Sequence, residues 1–390
     1  MLLLFSSIMI AFIIAEILVR IFIKPDTTRL ENISVDGYTI RKPKLIANYS
    51  LNQYNNKICF NELGFRDDSW LVNNEKIAVI GDSYMEALCI PEEKYFASIF
   101  QQISNREVIN ISREKFNTYE EVYFFKKFAA HLKPKLVLLF MYMNNDISFN
   151  SESKIKYKGQ NTSPINYINK NGIYTLPNQK VSSDILTSIK IFLINQSVLI
   201  PKLYHSLMKI KYIMVSKSKK QEFVFGENQL DDIYIIDQYQ SKKHIANWEA
   251  TEDALVELKN IVNQYGGKFV LITFESRYKP KQSRVLDKDY PLQRISTIAK
   301  ENNLIHFPLN QLLEDYFRNI KEPKEGLHVS DGHWNMLTHH IVTYHVLQKL
   351  VSDSLISLNK EITIDLKNFL HKNPVEIIGK DEYSKIYGDN

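Results

Sequence analysis

Ile77-Ala78-Val79-Ile80-Gly81-Asp82-Ser83-Tyr84-Met85-Glu86 is the stretch from which fold and chemistry can both be read. Four consecutive apolar residues read as a fully buried strand, and Gly81, Asp82 and Ser83 end it with small, turn-forming side chains. The hydroxyl of Ser83 is therefore expected at the carboxyl end of a strand, the edge at which open α/β sheets bind ligands. Serine is a weak nucleophile and needs a neighbouring base. Near the other end of the chain, Ser330-Asp331-Gly332-His333-Trp334-Asn335 places a carboxylate and an imidazole two positions apart, just ahead of an expected helix.

On these residues the chain resembles the SGNH (GDSL-type) hydrolases. Gly81-Asp82-Ser83 is similar to that family's first motif block and Asp331-Gly332-His333 to its last, and Asn61-Glu62-Leu63-Gly64-Phe65-Arg66-Asp67 is similar to a segment of its membrane-anchored bacterial members. The resemblance spans roughly residues 60 to 350. It implies a three-layer α/β/α, flavodoxin-like fold with a central parallel sheet, and ester hydrolysis or acyl transfer as chemistry. It also implies a triad in which Ser83 attacks, His333 accepts its proton and Asp331 holds the imidazole.

The same resemblance implies an oxyanion hole built from the Ser83 backbone N–H, the Asn145 side chain and a backbone N–H after the second strand. Asn145 lies in Met143-Asn144-Asn145-Asp146, where the family carries Gly-x-Asn-Asp; Met143 stands for the glycine, and Asn144 is a rival one residue away. The family's glycine block falls in Asn110-Ile111-Ser112-Arg113-Glu114-Lys115-Phe116-Asn117, which has no glycine. Lys115 occupies the expected place. It keeps the N–H, but its Cβ restricts φ, so either the hole uses an altered third donor or activity is lost.

The rest of the pattern alternates strand and helix. Pro91 opens a helix lined by Tyr95, Phe96, Ile99, Phe100 and Ile103, a second strand covers Glu107 to Ile111, and Thr118 with Glu121 reads as a capping box for the next helix. Lys135 to Met141 is apolar through its middle and reads as a central strand. Between 150 and 245 the alternation gives way to an insertion whose apolar stretch, Ile185 to Met214, is broken by Pro201. A helix at 248–264, a strand at 268–273, a helix at 290–301, a strand at 304–307 and a helix after His333 follow. Four segments are expected: an anchor at 1–24, a stem at 25–75, the hydrolase-like domain at 76–351 and a weakly patterned tail at 352–390.

Residues 1 to 23 are apolar apart from Ser6, Ser7, Glu16 and Arg20, long enough for a membrane-spanning helix, with no small-residue cleavage site. Arg20, Lys24 and Arg29 follow it, and a positive-inside count puts the main body in the cytoplasm. The resemblance implies the opposite side, facing the periplasm or cell exterior. A net charge of +5 spread over scattered lysines gives no case for nucleic acid. Cys59 and Cys89 are the only cysteines, read as two buried thiols, with a single bridge as the alternative. No glycine-rich phosphate loop or His-Glu-x-x-His pattern is present, so neither a cofactor nor a catalytic metal is expected. The expected partner is an acylated carbohydrate or lipid. The rivals are O-acyl transfer to a surface polysaccharide and a silent domain that binds glycan, the latter motivated by the missing glycines.

Overall fold

The computed structural model describes residues 30–51, 54–72, 75–143, 145–177, 242–274, 289–311, 332–369 and 372–387, together with 6, 7, 10–12, 14–17, 313 and 316. The chain enters through two antiparallel hairpins, β1 (Asn32–Val35) with β2 (Tyr38–Arg41), and β3 (Ile46–Leu51) with β4 (Tyr54–Cys59). The α/β alternation then runs β5 (Lys76–Gly81), α1 (Ser83–Glu86), α2 (Phe96–Ser104), β6 (Glu107–Asn110), α3 (Thr118–Phe128) and β7 (Leu136–Tyr142). After α4 (Asn150–Tyr157) and a short hairpin, β8 (Tyr167–Ile168) with β9 (Tyr174–Thr175), it resumes with α5 (Lys242–Gln264), β10 (Lys268–Phe274), α6 (Tyr290–Glu301) and β11 (Ile305–Pro308). The helix α7 (Met336–Ser352) follows His333, ahead of α8 (Lys360–Phe369), α9 (Pro374–Ile378) and α10 (Lys380–Tyr387).

Five strands form one parallel sheet in the order β11-β10-β7-β5-β6. Numbered within the sheet, this is 2-1-3-4-5, the flavodoxin order. Side chains alternate across it: Ile77, Val79, Leu136, Leu138 and Phe140 pack against α2 and α7, whereas Ala78, Ile80, Val137, Leu139 and Met141 pack against α3 and α5. Both faces are covered, which explains why the strands read as unbroken apolar runs. The helix α2 joins β5 to β6 across one face, and α3 returns from β6 to β7 across the other. Right-handed crossovers on a sheet whose order reverses require this division.

The structure differs from expectation at several points. The N-cap of α3 is Asn117, whose side chain accepts the Glu120 N–H, so Thr118 lies inside the helix, and the Glu121 carboxylate is buried with no hydrogen-bond partner instead of closing a capping box. Cys59 is exposed and only Cys89 is buried, and no disulfide joins them. The tail beyond 352 forms three helices, anchored by Leu366 and Phe369, the latter stacked on Tyr344. Two anchors in so short an amphipathic piece leave little period to read. Among the described residues no helix is long and apolar enough to cross a membrane. The expected anchor at 1–24 lies largely outside those residues, and the stretch Ile185 to Met214 wholly so.

The segment before β5 is built into the core. Val35, Tyr38, Ile40, Leu63, Phe65 and Trp70 share one apolar cluster with Ala78 and Ile80 of the sheet. The Asn61 carboxamide accepts the N–H groups of Leu63 (2.9 Å) and Phe65 (3.1 Å), and the tight turn this makes delivers Arg66 into the interior. Arg66 is fully buried. Its guanidinium donates to the carbonyls of Glu86 (3.0 Å), Ala87 and Ile90 (2.6 Å), and sits 4.5 Å over the Tyr95 ring. Three carbonyls, an aromatic face and the Glu92 carboxylate, 3.2 Å from Nε, compensate the buried charge, and the carbonyl bonds fix the turn that leaves α1.

The turn has no room for a side chain at Gly64, where φ is +81° and an added Cβ would lie 2.1 Å from the Arg41 carbonyl oxygen. Gly64→Ala is therefore expected to destabilise the protein by more than about 2 kcal/mol. A urea titration should show a lower midpoint with an unchanged slope; an unshifted midpoint would refute the tight turn.

Candidate active site

Ser83 is the first residue of α1, directly after β5. Asp82 caps that helix through its carboxylate, which accepts the Tyr84 N–H at 2.9 Å. The tight strand-to-helix turn depends on Gly81, where a Cβ would meet the Met85 side chain at 2.7 Å and the Phe140 carbonyl oxygen of β7 at 3.2 Å. The turn holds the Ser83 hydroxyl half-buried at the carboxyl end of the sheet.

His333 comes to it from 250 residues away. Its Nε2 lies 2.7 Å from Ser83 Oγ, within hydrogen-bond reach of a nucleophile and its base. The His333 loop is held by Tyr84, whose hydroxyl donates to the Gly332 carbonyl at 3.1 Å and whose ring lies 4.9 Å from the imidazole centroid. Behind the loop, Trp334 packs on Phe274 at the end of β10 and on Tyr84. The Asn335 side chain caps α7 by accepting the Thr338 N–H at 3.0 Å. Asp331 and Asn144 lie outside the described residues.

Asn145, just after β7, reaches the residue beside Ser83. Its amide nitrogen donates to Asp82 Oδ2 and to the Phe116 carbonyl, both at 3.2 Å, so both amide hydrogens are engaged. An oxyanion gains a donor from Asn145 only by replacing one of those acceptors. Lys115 is exposed, with φ at +68°. The backbone therefore takes the left-handed conformation that a glycine would accept freely, in spite of the Cβ. Met143 is buried in the core, and its N–H continues the sheet by donating to the Phe274 carbonyl at 2.9 Å. Among the described residues no group of three or more His, Cys, Asp or Glu side chains is arranged to hold a metal ion.

A cluster of buried carboxyls under the nucleophile was not singled out from sequence. Asp82, Glu121 and Asp146 are all almost wholly buried. Burial pushes the Asp82 carboxyl above its usual range, against the opposing pull of the Tyr84 N–H, His333 and Asn145. Burial, then the nearby Asp82, push Glu121 well up; burial, then Glu121 and Asp82, do the same to Asp146. Both oxygens of Glu121 and Oδ1 of Asp146 have no hydrogen-bond partner, while Asp146 Oδ2 accepts the Tyr142 N–H at 2.6 Å. Asp82 and Asp146 each lie in a motif read for the residue beside it, Ser83 and Asn145, and Glu121 has the spacing of a capping residue, which hides its burial.

No family model matches the chain, and no curated protein matches it significantly. Solved structures that align with it include TesA, at 11% identity and a TM-score of 0.36, covering 72% of this chain and 100% of that one. LAE5, an alpha/beta hydrolase from the metagenome of Lake Arreo, Spain, aligns at 10% identity and 0.38, covering 74% and 99%. A carbohydrate esterase whose active site displays divergent catalytic and non-catalytic binding functions aligns at 8% and 0.36, covering 74% and 70%. At such values these alignments carry no conclusion about activity, which rests on the geometry of the site.

The buried carboxyls have a testable signature. A carboxyl whose folded pKa is raised keeps its proton where the unfolded chain has lost it. Its stabilising effect is complete below the unfolded pKa and is lost as pH rises toward the folded one, by up to about 1.4 kcal/mol per unit. Glu121→Gln has no proton to lose, so its melting temperature relative to the parent should be higher at pH 8 than at pH 5. Melting curves that stay parallel between those pH values would show that Glu121 is not held neutral.

Proposed function

We propose that the chain is a serine ester hydrolase working through an acyl-Ser83 intermediate. The single observation that carries this reading is the 2.7 Å approach of His333 Nε2 to Ser83 Oγ at the carboxyl end of the sheet. As Oγ bonds to the acyl carbon, Nε2 accepts its proton, and the imidazolium then returns that proton to the departing alkoxide. Water repeats the sequence in reverse to free the acid. The resemblance gives Asp331 the task of orienting His333 and stabilising its charged form. It assigns the developing oxyanion to the N–H of Ser83, the amide of Asn145 and the N–H of Lys115, donors that matter because each is worth roughly 2.7–4 kcal/mol in such sites.

The substrate follows from location. The largely apolar stretch at 1–23 supports a single-pass anchor in the cytoplasmic membrane, and the resemblance supports a catalytic domain facing the periplasm or cell exterior. The accessible esters there are acyl groups, acetyl foremost, on envelope glycans or lipids. A sugar hydroxyl in place of water would make the same acyl-enzyme an O-acyltransferase. The engaged amide of Asn145 favours a second reading, a silent domain that binds glycan without turning it over.

Purified full-length chain should hydrolyse a short-chain chromogenic ester, and Ser83→Ala and His333→Ala should each lower kcat by about a thousandfold or more. Added sugar hydroxyls that divert the acyl group from water would identify transfer. Turnover that is absent, or untouched by both substitutions, would sink the acyl-serine reading in favour of glycan binding.

A further inference from the structure

The loop that follows β6 carries a lysine where the resemblance expects glycine, yet it takes the backbone conformation of glycine. Something must hold it there. Arg113 donates its N–H to the Gly81 carbonyl at 3.1 Å, carrying the β5 pairing one step past β6. Phe116 is buried, and its carbonyl receives the Asn145 amide at 3.2 Å. Between them the Glu114 N–H donates to Glu86 Oε2 at 2.7 Å. With the chain pinned at 113, 114 and 116, residue 115 is left to make the connection, which it does at φ +68° with its side chain exposed.

Glu86 is the last residue of α1, the helix that begins with Ser83. Its carboxylate is 1% exposed and is gripped on both oxygens by Arg41 of β2, with Nε to Oε1 at 3.0 Å and Nη2 to Oε2 at 3.1 Å. The same Nη2 lies 3.2 Å from Glu114 Oε1. A two-bond guanidinium–carboxylate pair has a fixed geometry, so the oxygen offered to the Glu114 N–H has a fixed place. The charge is then shared among the entry hairpin, the nucleophile's helix and the loop beside it.

We propose that Arg41 and Glu86 are positioning residues that hold the 112–116 loop against the Ser83 crevice, doing with a buried ion pair what glycine does by conformational freedom. Neither touches a reacting atom. Their effect passes through the backbone of Glu114 and Lys115. The kinetic consequence rests on the acyl-serine reading above, whereas the placement of the loop stands by itself and is measured separately.

The test is a cycle in the full-length chain between Arg41→Met/Glu86→Met, which removes both charges together and leaves neither unpaired, and Lys115→Gly. Amide hydrogen exchange at Glu114 and Lys115 should quicken by about tenfold or more in the double variant. Turnover of the short-chain ester should fall by about tenfold in kcat with KM within about twofold. Adding Lys115→Gly should recover about threefold or more of both losses, because glycine takes the left-handed conformation without a clamp. A pair that merely stabilises the fold would show no such rescue. Exchange at 114 and 115 that stays within about twofold of the parent, or a loss that glycine leaves unchanged, overturns the proposal. Should the double variant not fold, Glu86→Gln takes its place, with the same rescue required. If the parent turns over no ester but the exchange pattern and its rescue hold, the clamp stands and the esterase reading falls.

Discussion

Adjacent parallel strands β5 and β7 send their chains away in opposite directions, and everything at the site depends on that divergence. Because α2, which follows β5, and α5, which follows β7, pack on opposite faces of the sheet, no described helix crosses the carboxyl ends of these two strands. The gap is where Ser83 and Asn145 emerge, one from each strand. The His333 loop closes it from the third side, seated on the aromatic rings of Tyr84, Phe274 and Trp334. The approach of His333 to Ser83 is thus a by-product of strand order, with the side chains supplying the final ångströms.

Charge is used in the interior with unequal care. Arg41 and Arg66 are buried but fully engaged, the first by the Glu86 carboxylate and the second by carbonyls and Glu92, and breaking such an arrangement from one side costs on the order of 3–5 kcal/mol. Glu121 and Asp146 have no cation paired with them among the described residues, and burial pushes both carboxyls well up. The arginines bind the entry hairpin and its turn to α1, whereas the two acids are buried near Asp82, which raises both carboxyls further.

Much of this was legible in the chain itself. The runs at 77–80, 135–141 and 268–273 named three sheet strands because burial on both faces demands unbroken apolar sequence, and the helices after Pro91 and His333 carried a clear period. Ser83 and His333 were found because a small-residue break after a strand and an imidazole before a helix are local patterns. What sequence could not give were relations between distant segments. Glu86 reads as an ordinary polar residue until Arg41 is seen against it, and Lys115 reads as a missing glycine until the pins at Glu114 and Phe116 explain its backbone. Asn117 displaced Thr118 as a cap because either side chain satisfies the local rule, and only helix geometry selects between them.

The separation of 250 residues between Ser83 and its imidazole has a consequence for biosynthesis. Contacts that span most of a chain are among the slowest to form, and α7 is made long after β5. A growing polypeptide therefore carries a serine with no base to activate it. On the acyl-serine reading, competence would arrive only with the docking of that late helix.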